Sequence, residues 1–95
     1  MTIPVHRHGD GRICGHTTVV TGQSTVYANN KLIAVNGDPN TGGGGAIAAG
    51  SKNVYINNKL ISNDGDGASP DGACPIAPHC SPSTSGGSPN VFVPN

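Results

Sequence analysis

The chain has few of the large side chains that usually fill a hydrophobic core. It contains no Trp, one Phe and two Tyr, and hydrophobic residues make up 34% of its 95 positions. An average domain has roughly 45–50% in an apolar set that also counts Gly. A chain this short buries only about 60–65% of its unfolded surface. A stable fold therefore needs a repetitive β architecture, a metal or disulfide crosslink, or a partner chain.

The chain also has no net charge at pH 7. Five Lys and Arg balance five acidic residues, all of them Asp, because Glu is absent. Zero net charge, scattered basic residues and few aromatics argue against binding to nucleic acid. There is no Gly-x-Ser-x-Gly nucleophile elbow, and no Glu to act as general base beside a catalytic zinc. We therefore expect the protein not to be an enzyme.

Long apolar runs are absent as well. No stretch approaches the ~20 residues of a membrane helix, and the N-terminal MTIPVHRHGD has no apolar segment typical of a signal peptide. We therefore expect synthesis in a cytoplasm. In that compartment three cysteines fit a metal site better than a framework of disulfides.

What the chain does contain is an internal repeat. TGQSTVYANNKLIAVNGD at 21–38 matches AGSKNVYINNKLISNDGD at 49–66, with an offset of 28 residues. A third copy, GGSPNVFVPN at 86–95, lacks the second half, and a matching Gly-Asp pair stands instead at Gly9-Asp10. The repeats are circularly offset, so the N-terminal segment is expected to complete the third copy.

The repeats define one domain over residues 1–95. We place them at approximately 9–36, 37–64 and 65–95, with a nine-residue insertion around 70–80. Each unit is too small to bury its own apolar face and must pack on its neighbours. Three similar units in one chain indicate a pseudo-threefold arrangement.

Each repeat is predicted to form a β-hairpin. STVYANN and KNVYINN are rich in β-branched and aromatic residues, and KLIAV and KLIS supply the return strands. Asn29-Asn30 and Asn57-Asn58 suit tight turns because Asn tolerates a positive φ. No helical period is present, so the fold class is all-β. Residues at matched repeat positions are predicted to pack in the core: Val26, Val54, Val91, Leu32, Leu60, Tyr27, Tyr55 and Phe92.

The repeat register points to a metal site. The residues eight positions before the repeat glycines Gly22, Gly50 and Gly87 are Cys14, Gly42 and His79. In a threefold arrangement these three positions converge near the axis. Two of them carry side chains that bind metals, and the third, a Gly, does not.

Two further residues complete the predicted ligand set. His16 can supply the ligand that Gly42 lacks, and Cys74, in the insertion CPIAPHC, gives a fourth. Cys14, His16, Cys74 and His79 then make a closed tetrahedral site for one structural Zn²⁺, with iron as the less favoured metal.

Several alternatives stay open at this point. Cys80 can replace one ligand, although it is adjacent to His79 and both on one ion would strain the chain. A Cys74–Cys80 disulfide and three unbound thiols are the structural alternatives. His6 and His8, in HRHGD, can bind metal but are more often solvated. The Asp residues of the Gly-rich loops are interpreted as turn formers.

Taken together, these motifs resemble the PAAR-repeat family. The resemblance rests on ICGHTTVVTGQSTVYANNKLIAVNGD, GGGGAIAAGSKNVYINNKLI and CPIAPHCSPSTSGGSPNVFV, and it covers nearly the whole chain. The sequence resembles the short phage-tail members more than the secretion-system members. Two features depart from the family pattern: Gly42 stands where a His is expected, and the Pro-Ala-Ala-Arg signature is absent.

The resemblance implies a fold and a function. It implies a small cone of three β-hairpin repeats, with a zinc ion bound by His and Cys at the vertex. The base would sit, one copy per trimer, on the end of a β-helical spike of a phage tail or of a VgrG-like protein. The chain would be made in a bacterial cytoplasm and carried by a phage tail or a type VI secretion needle to pierce the target outer membrane. A stand-alone metal-stabilised module that binds carbohydrate or a cell surface is the alternative.

Overall fold

The computed structural model describes residues 2–50, 54–74, 76 and 79–94. Within these residues the chain forms short strands and turns and no helix, which confirms the all-β prediction. No described segment could cross a bilayer as a helix. The strands are β1 (Thr2–Pro4), β2 (Tyr27–Ala28), β3 (Lys31–Leu32), β4 (Ile47–Ala48), β5 (Tyr55–Ile56), β6 (Lys59–Leu60), β7 (Gly67–Ala68) and β8 (Phe92–Pro94).

Two of the predicted hairpins form as expected. β2 pairs antiparallel with β3, and β5 pairs antiparallel with β6. Both turns are pairs of Asn with positive φ, 56° and 65° at Asn29-Asn30 and 54° and 64° at Asn57-Asn58. Positive φ at both central residues matches the right-handed twist of the flanking strands. The two Asn pairs therefore fix the register of these hairpins.

The two ends of the chain form a third hairpin-like pair. β1 is antiparallel to β8, with Pro4 opposite Phe92. The same register places Leu32 opposite Tyr27 in one hairpin and Leu60 opposite Tyr55 in the other. The N-terminal segment thus completes the third repeat, as the circular offset of the sequence predicted.

The three repeats are joined by a closed cycle of backbone hydrogen bonds. The N–H of His6 donates to Ser62 O (3.0 Å), Ser62 N–H donates to Ala34 O (2.9 Å), and Ala34 N–H donates to His6 O (2.9 Å). These residues are 28 apart in sequence and fully buried. Three bridges follow the same cyclic order: Arg7–Ile33, Val35–Ile61 and Asn63–Val5. Each repeat is therefore bonded to both others, and none is a separate unit.

A repeated turn follows each of these bridges. The carboxylate Oδ2 atoms of Asp10, Asp38 and Asp66 each accept a hydrogen bond from the backbone N–H three residues earlier, at 2.9, 2.8 and 2.9 Å. The preceding glycines have φ values of +84°, +91° and +90° at Gly9, Gly37 and Gly65. These Asp residues are turn formers, as predicted, and they start the loops that lead to the candidate site.

The hydrophobic core is small and divided in two. Val5, Ala28, Ile33, Ile61 and Val93 form one cluster. Val20, Ala34 and Ile47 form the other. Most of the remaining buried side chains are polar, so hydrogen-bonded polar groups occupy much of the interior.

The prediction that the matched repeat residues lie in the core is wrong for several of them. Tyr27, Tyr55 and Phe92 are 58%, 60% and 49% exposed, and Val26 is 38% exposed. Val54 and Val91 pack at the edge of the first cluster, Leu32 packs against the second, and Leu60 is half-buried. Because side chains alternate across a strand, the inward positions go to the neighbours of the aromatic residues, such as Ala28 and Val93.

Candidate metal centre

Four side chains from two loops meet at one point, two from the loop after Asp10 and two from the loop after Asp66. Cys14, His16, Asp71 and His79 each offer a ligand atom, and these atoms lie within 4.8 Å of one another. Oδ2 of Asp71 is 3.1 Å from Nδ1 of His79 and 3.6 Å from Sγ of Cys14. Neighbouring ligands of a tetrahedral zinc are about 3.3–3.7 Å apart, given metal–ligand distances of about 2.0–2.3 Å. The residues present therefore fit a small tetrahedral metal ion.

Gly42 makes room for one of these ligands. A Cβ atom at position 42 would lie 2.6 Å from both Cδ2 and Nε2 of His16. The imidazole of His16 thus fills the space that a side chain at position 42 would need, as the register argument expected. Its ring centroid is 5.1 Å from that of His79, and the Thr41 hydroxyl lies 3.3 Å from Nδ1 of His16.

Asp71 is the ligand candidate that the sequence reasoning missed. Its buried carboxylate accepts hydrogen bonds from Ala73 N–H at 2.9 Å and from the Asn40 amide at 3.1 Å, and it contacts the His79 ring. Burial opposes its charged form, but the hydrogen bonds from Ala73, His79 and Asn40 outweigh burial and hold the pKa of Asp71 well below its usual range. Asp71 is therefore an anion at neutral pH and is suited to a cation.

Cys74 was predicted as the fourth ligand, and the structure corrects this prediction. Cys74 is bonded to Cys80 in a disulfide, while Cys14 is free. A disulfide sulfur has no thiolate to offer a metal, which removes both Cys74 and its alternative Cys80 from the ligand set. Asp71 stands in the fourth place instead.

The repeat register contained a signal for Asp71. Four residues after Asp10 and Asp38 come Cys14 and Gly42, and five residues after Asp66 comes Asp71. Counting back from the repeat glycines finds only the end of the insertion, at His79. Counting forward from Asp66 finds the start of the insertion, at Asp71. The two ends are held together, since Asp71 N–H donates to His79 O at 2.9 Å.

The two N-terminal histidines lie outside the cluster. His8 is exposed, and its Nδ1 accepts a hydrogen bond from Val20 N–H at 3.1 Å. His6 is fully buried, so the expectation that it is solvated is wrong. Its Nδ1–H donates to Gly86 O at 2.8 Å, which leaves Nε2 to accept from the Thr18 hydroxyl at 2.6 Å. Burial lowers the pKa of His6, and the bond to Gly86 offsets this only in part.

Arg12 is a second residue whose role the sequence did not indicate. Its side chain is only 3% exposed. The guanidinium donates to Thr18 Oγ1 (2.7 Å), Gly45 O (2.7 Å), Pro82 O (3.0 Å) and Asp38 O (3.2 Å). Burial lowers the pKa of Arg12. One buried cation thereby links the loops that carry the metal-binding candidates.

The donor set balances the charge of a divalent cation. A Cys14 thiolate and the Asp71 carboxylate supply two negative charges, and neutral imidazoles of His16 and His79 supply nitrogen. One sulfur, two nitrogens and one oxygen are all ligands that zinc accepts. A scan against protein-family models finds no match for the chain, and a search of curated proteins finds none either.

Proposed function

We propose that the chain is the structural tip of a contractile injection machine, a phage tail or a type VI secretion needle. It caps the end of a trimeric β-helical spike and sharpens it for piercing a target envelope. The observation that carries this proposal is the hydrogen-bond cycle of His6, Ala34 and Ser62. Such a cycle gives a single chain three equivalent sides, which suits the end of a homotrimer.

A cone with pseudo-threefold symmetry is the architecture that this proposal requires. Three two-stranded pairs share one register, and they precede three Gly-Asp turns in the repeated chain order. The loops after the first and third turns carry the metal-binding candidates Cys14, His16, Asp71 and His79, and the loop after the second packs against them at Gly42. We infer that the hairpins form the base and that these loops form the vertex.

Zinc supplies the stiffness that a narrow vertex needs. A vertex has no room for a hydrophobic core, and the core of this chain is small. Structural zinc contributes about 10–16 kcal/mol in small metal domains. One zinc ion bound by Cys14, His16, Asp71 and His79 would crosslink the loops after Asp10 and Asp66 in the volume of one atom. The proposed role of the metal is structural, and no turnover is expected.

Three exposed aromatic side chains supply the surface for the spike. Tyr27, Tyr55 and Phe92 occupy equivalent positions in the three hairpins and are 49–60% exposed. Aromatic residues are enriched at protein interfaces. Three equivalent rings offer one contact to each chain of a trimer, with one copy of this protein per trimer.

Native mass spectrometry tests the proposed assembly. We expect a complex of one chain of this protein with one trimer of a β-helical spike protein from a contractile phage tail. The triple variant in which Ser replaces each of Tyr27, Tyr55 and Phe92 should not form this complex. A matched control replaces Ile13 and Ile76, which are 53% and 66% exposed but lie outside the hairpins. Failure to bind any such spike, or equal loss in the control, would contradict the proposal.

A stand-alone binding module is the second candidate, because the aromatic residues are exposed. An open groove of about 520 Å³ lies between segment 23–26 and β5 with its turn, and Tyr55 is part of its lining. Aromatic and amide groups together suit a carbohydrate. A glycan array with the wild-type chain and the Tyr55→Ser variant tests this function. Glycan binding by wild type that the variant loses would support it. No binding by wild type to any glycan would contradict it.

A further inference from the structure

The disulfide lies beside the metal centre. Cys74 is three residues after Asp71, and its N–H donates to Asp71 O at 3.2 Å. A turn closed in this way keeps the two Cα atoms within about 7 Å. Its partner Cys80 directly follows His79, and the Cα atoms of Cys74 and Cys80 are 4.8 Å apart. The disulfide is therefore adjacent to two of the four ligand candidates, with Cys74 beside Asp71 and Cys80 next to His79 in sequence.

We propose that the Cys74–Cys80 disulfide is a redox switch that sets which residue is the fourth metal ligand. In the oxidised chain Asp71 takes that place. In the reduced chain the Cys74 thiolate replaces Asp71 and holds the metal more tightly. This inference rests on the metal centre of the proposed function, but it does not depend on the spike.

The chemistry of the exchange is balanced. Two electrons and two protons convert the S–S bond into the Cys74 and Cys80 thiols: a dithiol supplies both and closes to its own disulfide, or a phosphine becomes the phosphine oxide and water supplies the protons. Cys74 then loses its proton as its sulfur binds the metal, and the Asp71 carboxylate is released. Zinc prefers a thiolate to a carboxylate in such a site. Cys80 is not the replacement, since it follows His79 directly and both cannot easily reach one ion.

Access to the disulfide is open. Cys74 and Cys80 are both half-buried, and Ile76, within the loop that they close, is 66% exposed. A small reductant can therefore reach the bond. Disulfides form outside reducing compartments, so the chain would bind its metal most tightly in the cytoplasm where it is made.

Metal affinity in the two redox states tests the switch. Zinc binding to the untagged full chain is measured by competition with a chromophoric chelator, before and after reduction with a phosphine. We expect reduction to tighten binding about tenfold or more. With Co²⁺ as the probe, the thiolate-to-metal absorption band should grow from the intensity of one thiolate to that of two.

Two matched variants separate ligand exchange from simple loosening of the loop. Cys80→Ser and Cys74→Ser both abolish the disulfide, but only Cys80→Ser keeps the Cys74 thiol. We expect Cys80→Ser to bind like the reduced wild type, and Cys74→Ser like the oxidised wild type, with or without reductant. Asp71→Asn should lower zinc affinity about 100-fold in the oxidised chain and leave the reduced chain unchanged.

Unchanged or weaker binding after reduction would overturn the switch, as would equal affinities of Cys74→Ser and Cys80→Ser. Equal binding in both redox states would leave the metal centre of the proposed function intact and remove only the switch. If neither the oxidised nor the reduced chain binds metal, both the switch and the metal centre of the proposed function are wrong.

Discussion

At the scale of single residues, buried polar side chains set much of the behaviour of this protein. His6 is fully enclosed, with both ring nitrogens bonded. Its pKa is lowered in the folded chain, mainly by burial. As the pH falls below about 6.5, the ordinary pKa of His, the unfolded chain binds a proton that folded His6 resists. Stability is therefore greatest above that pH and declines until the folded pKa is passed.

The His6→Asn variant tests this pH dependence. Urea unfolding at pH 7.5 and pH 5.5, followed by circular dichroism, should show a lower midpoint for wild type at the acidic pH. The Asn variant should be less stable than wild type at pH 7.5, but its free energy of unfolding should fall less between pH 7.5 and pH 5.5. The metal ligands are the same in both proteins, so release of metal cancels in the comparison. An identical acid-induced loss in the variant would contradict the assignment to His6.

Arg12 provides a second prediction at this scale. Its guanidinium bonds four separate acceptors, three of them backbone carbonyls. Lys keeps the charge but cannot reach all four, which leaves buried carbonyls without donors. We expect Arg12→Lys to lower the free energy of unfolding by about 2–4 kcal/mol. Lys31→Ala, at an exposed strand position, is the control. A loss from Arg12→Lys no larger than that of the control would contradict this role.

At the scale of elements, the hairpin turns depend on residues that tolerate a positive φ. Asn58 has a φ of 64°, a region that costs a residue with a Cβ about 1–2 kcal/mol and Gly almost nothing. Thermal unfolding should show Asn58→Ala to be less stable by about 1 kcal/mol. Asn58→Gly should equal or exceed wild type. If both variants unfold at the same temperature, the turn does not set the stability of the β5–β6 hairpin.

The elements also show what sequence reasoning could and could not reach. The hairpins and their Asn turns were predicted because they follow from local turn and strand chemistry. The completion of the third copy by the N-terminus was predicted from the circular offset of the repeats. The exposure of Tyr27, Tyr55 and Phe92 was not predicted, because matched positions indicate equivalence and do not indicate burial. The side of a strand that faces the core is decided by packing between repeats.

The candidate site was predictable only in part, for a similar reason. Cys14 and His79 followed from the register of the repeats, and His16 followed from its place two residues after Cys14, where it could supply the ligand that Gly42 lacks. The sequence does not single out Asp71, since nothing in its local sequence separates a turn carboxylate from a metal ligand. The Cys74–Cys80 bond was left as an alternative because the conformation of a Pro-rich insertion cannot be read from its spacing. Contacts between repeats decided both outcomes.

At the scale of the whole molecule, the metal and the repeat arrangement make a joint prediction. If positions 14, 42 and 79 are equivalent about one axis, a His at position 42 should reach the metal as His16 does. The change His16→Ala should lower zinc affinity, and the double change His16→Ala with Gly42→His should restore it. Competition with a chromophoric chelator measures both. A double variant as weak as the single one would contradict the equivalence of these three positions.

The most direct test of the central claim, a single zinc held at the vertex, is the metal content of the untagged protein purified without reductant. Elemental mass spectrometry should find about one zinc per chain in wild type and in the control His8→Ala, because His8 lies outside the cluster. Cys14→Ser, His16→Ala, Asp71→Asn and His79→Ala should each lose most of it. No zinc in wild type, or zinc that is insensitive to these four changes, would contradict the account.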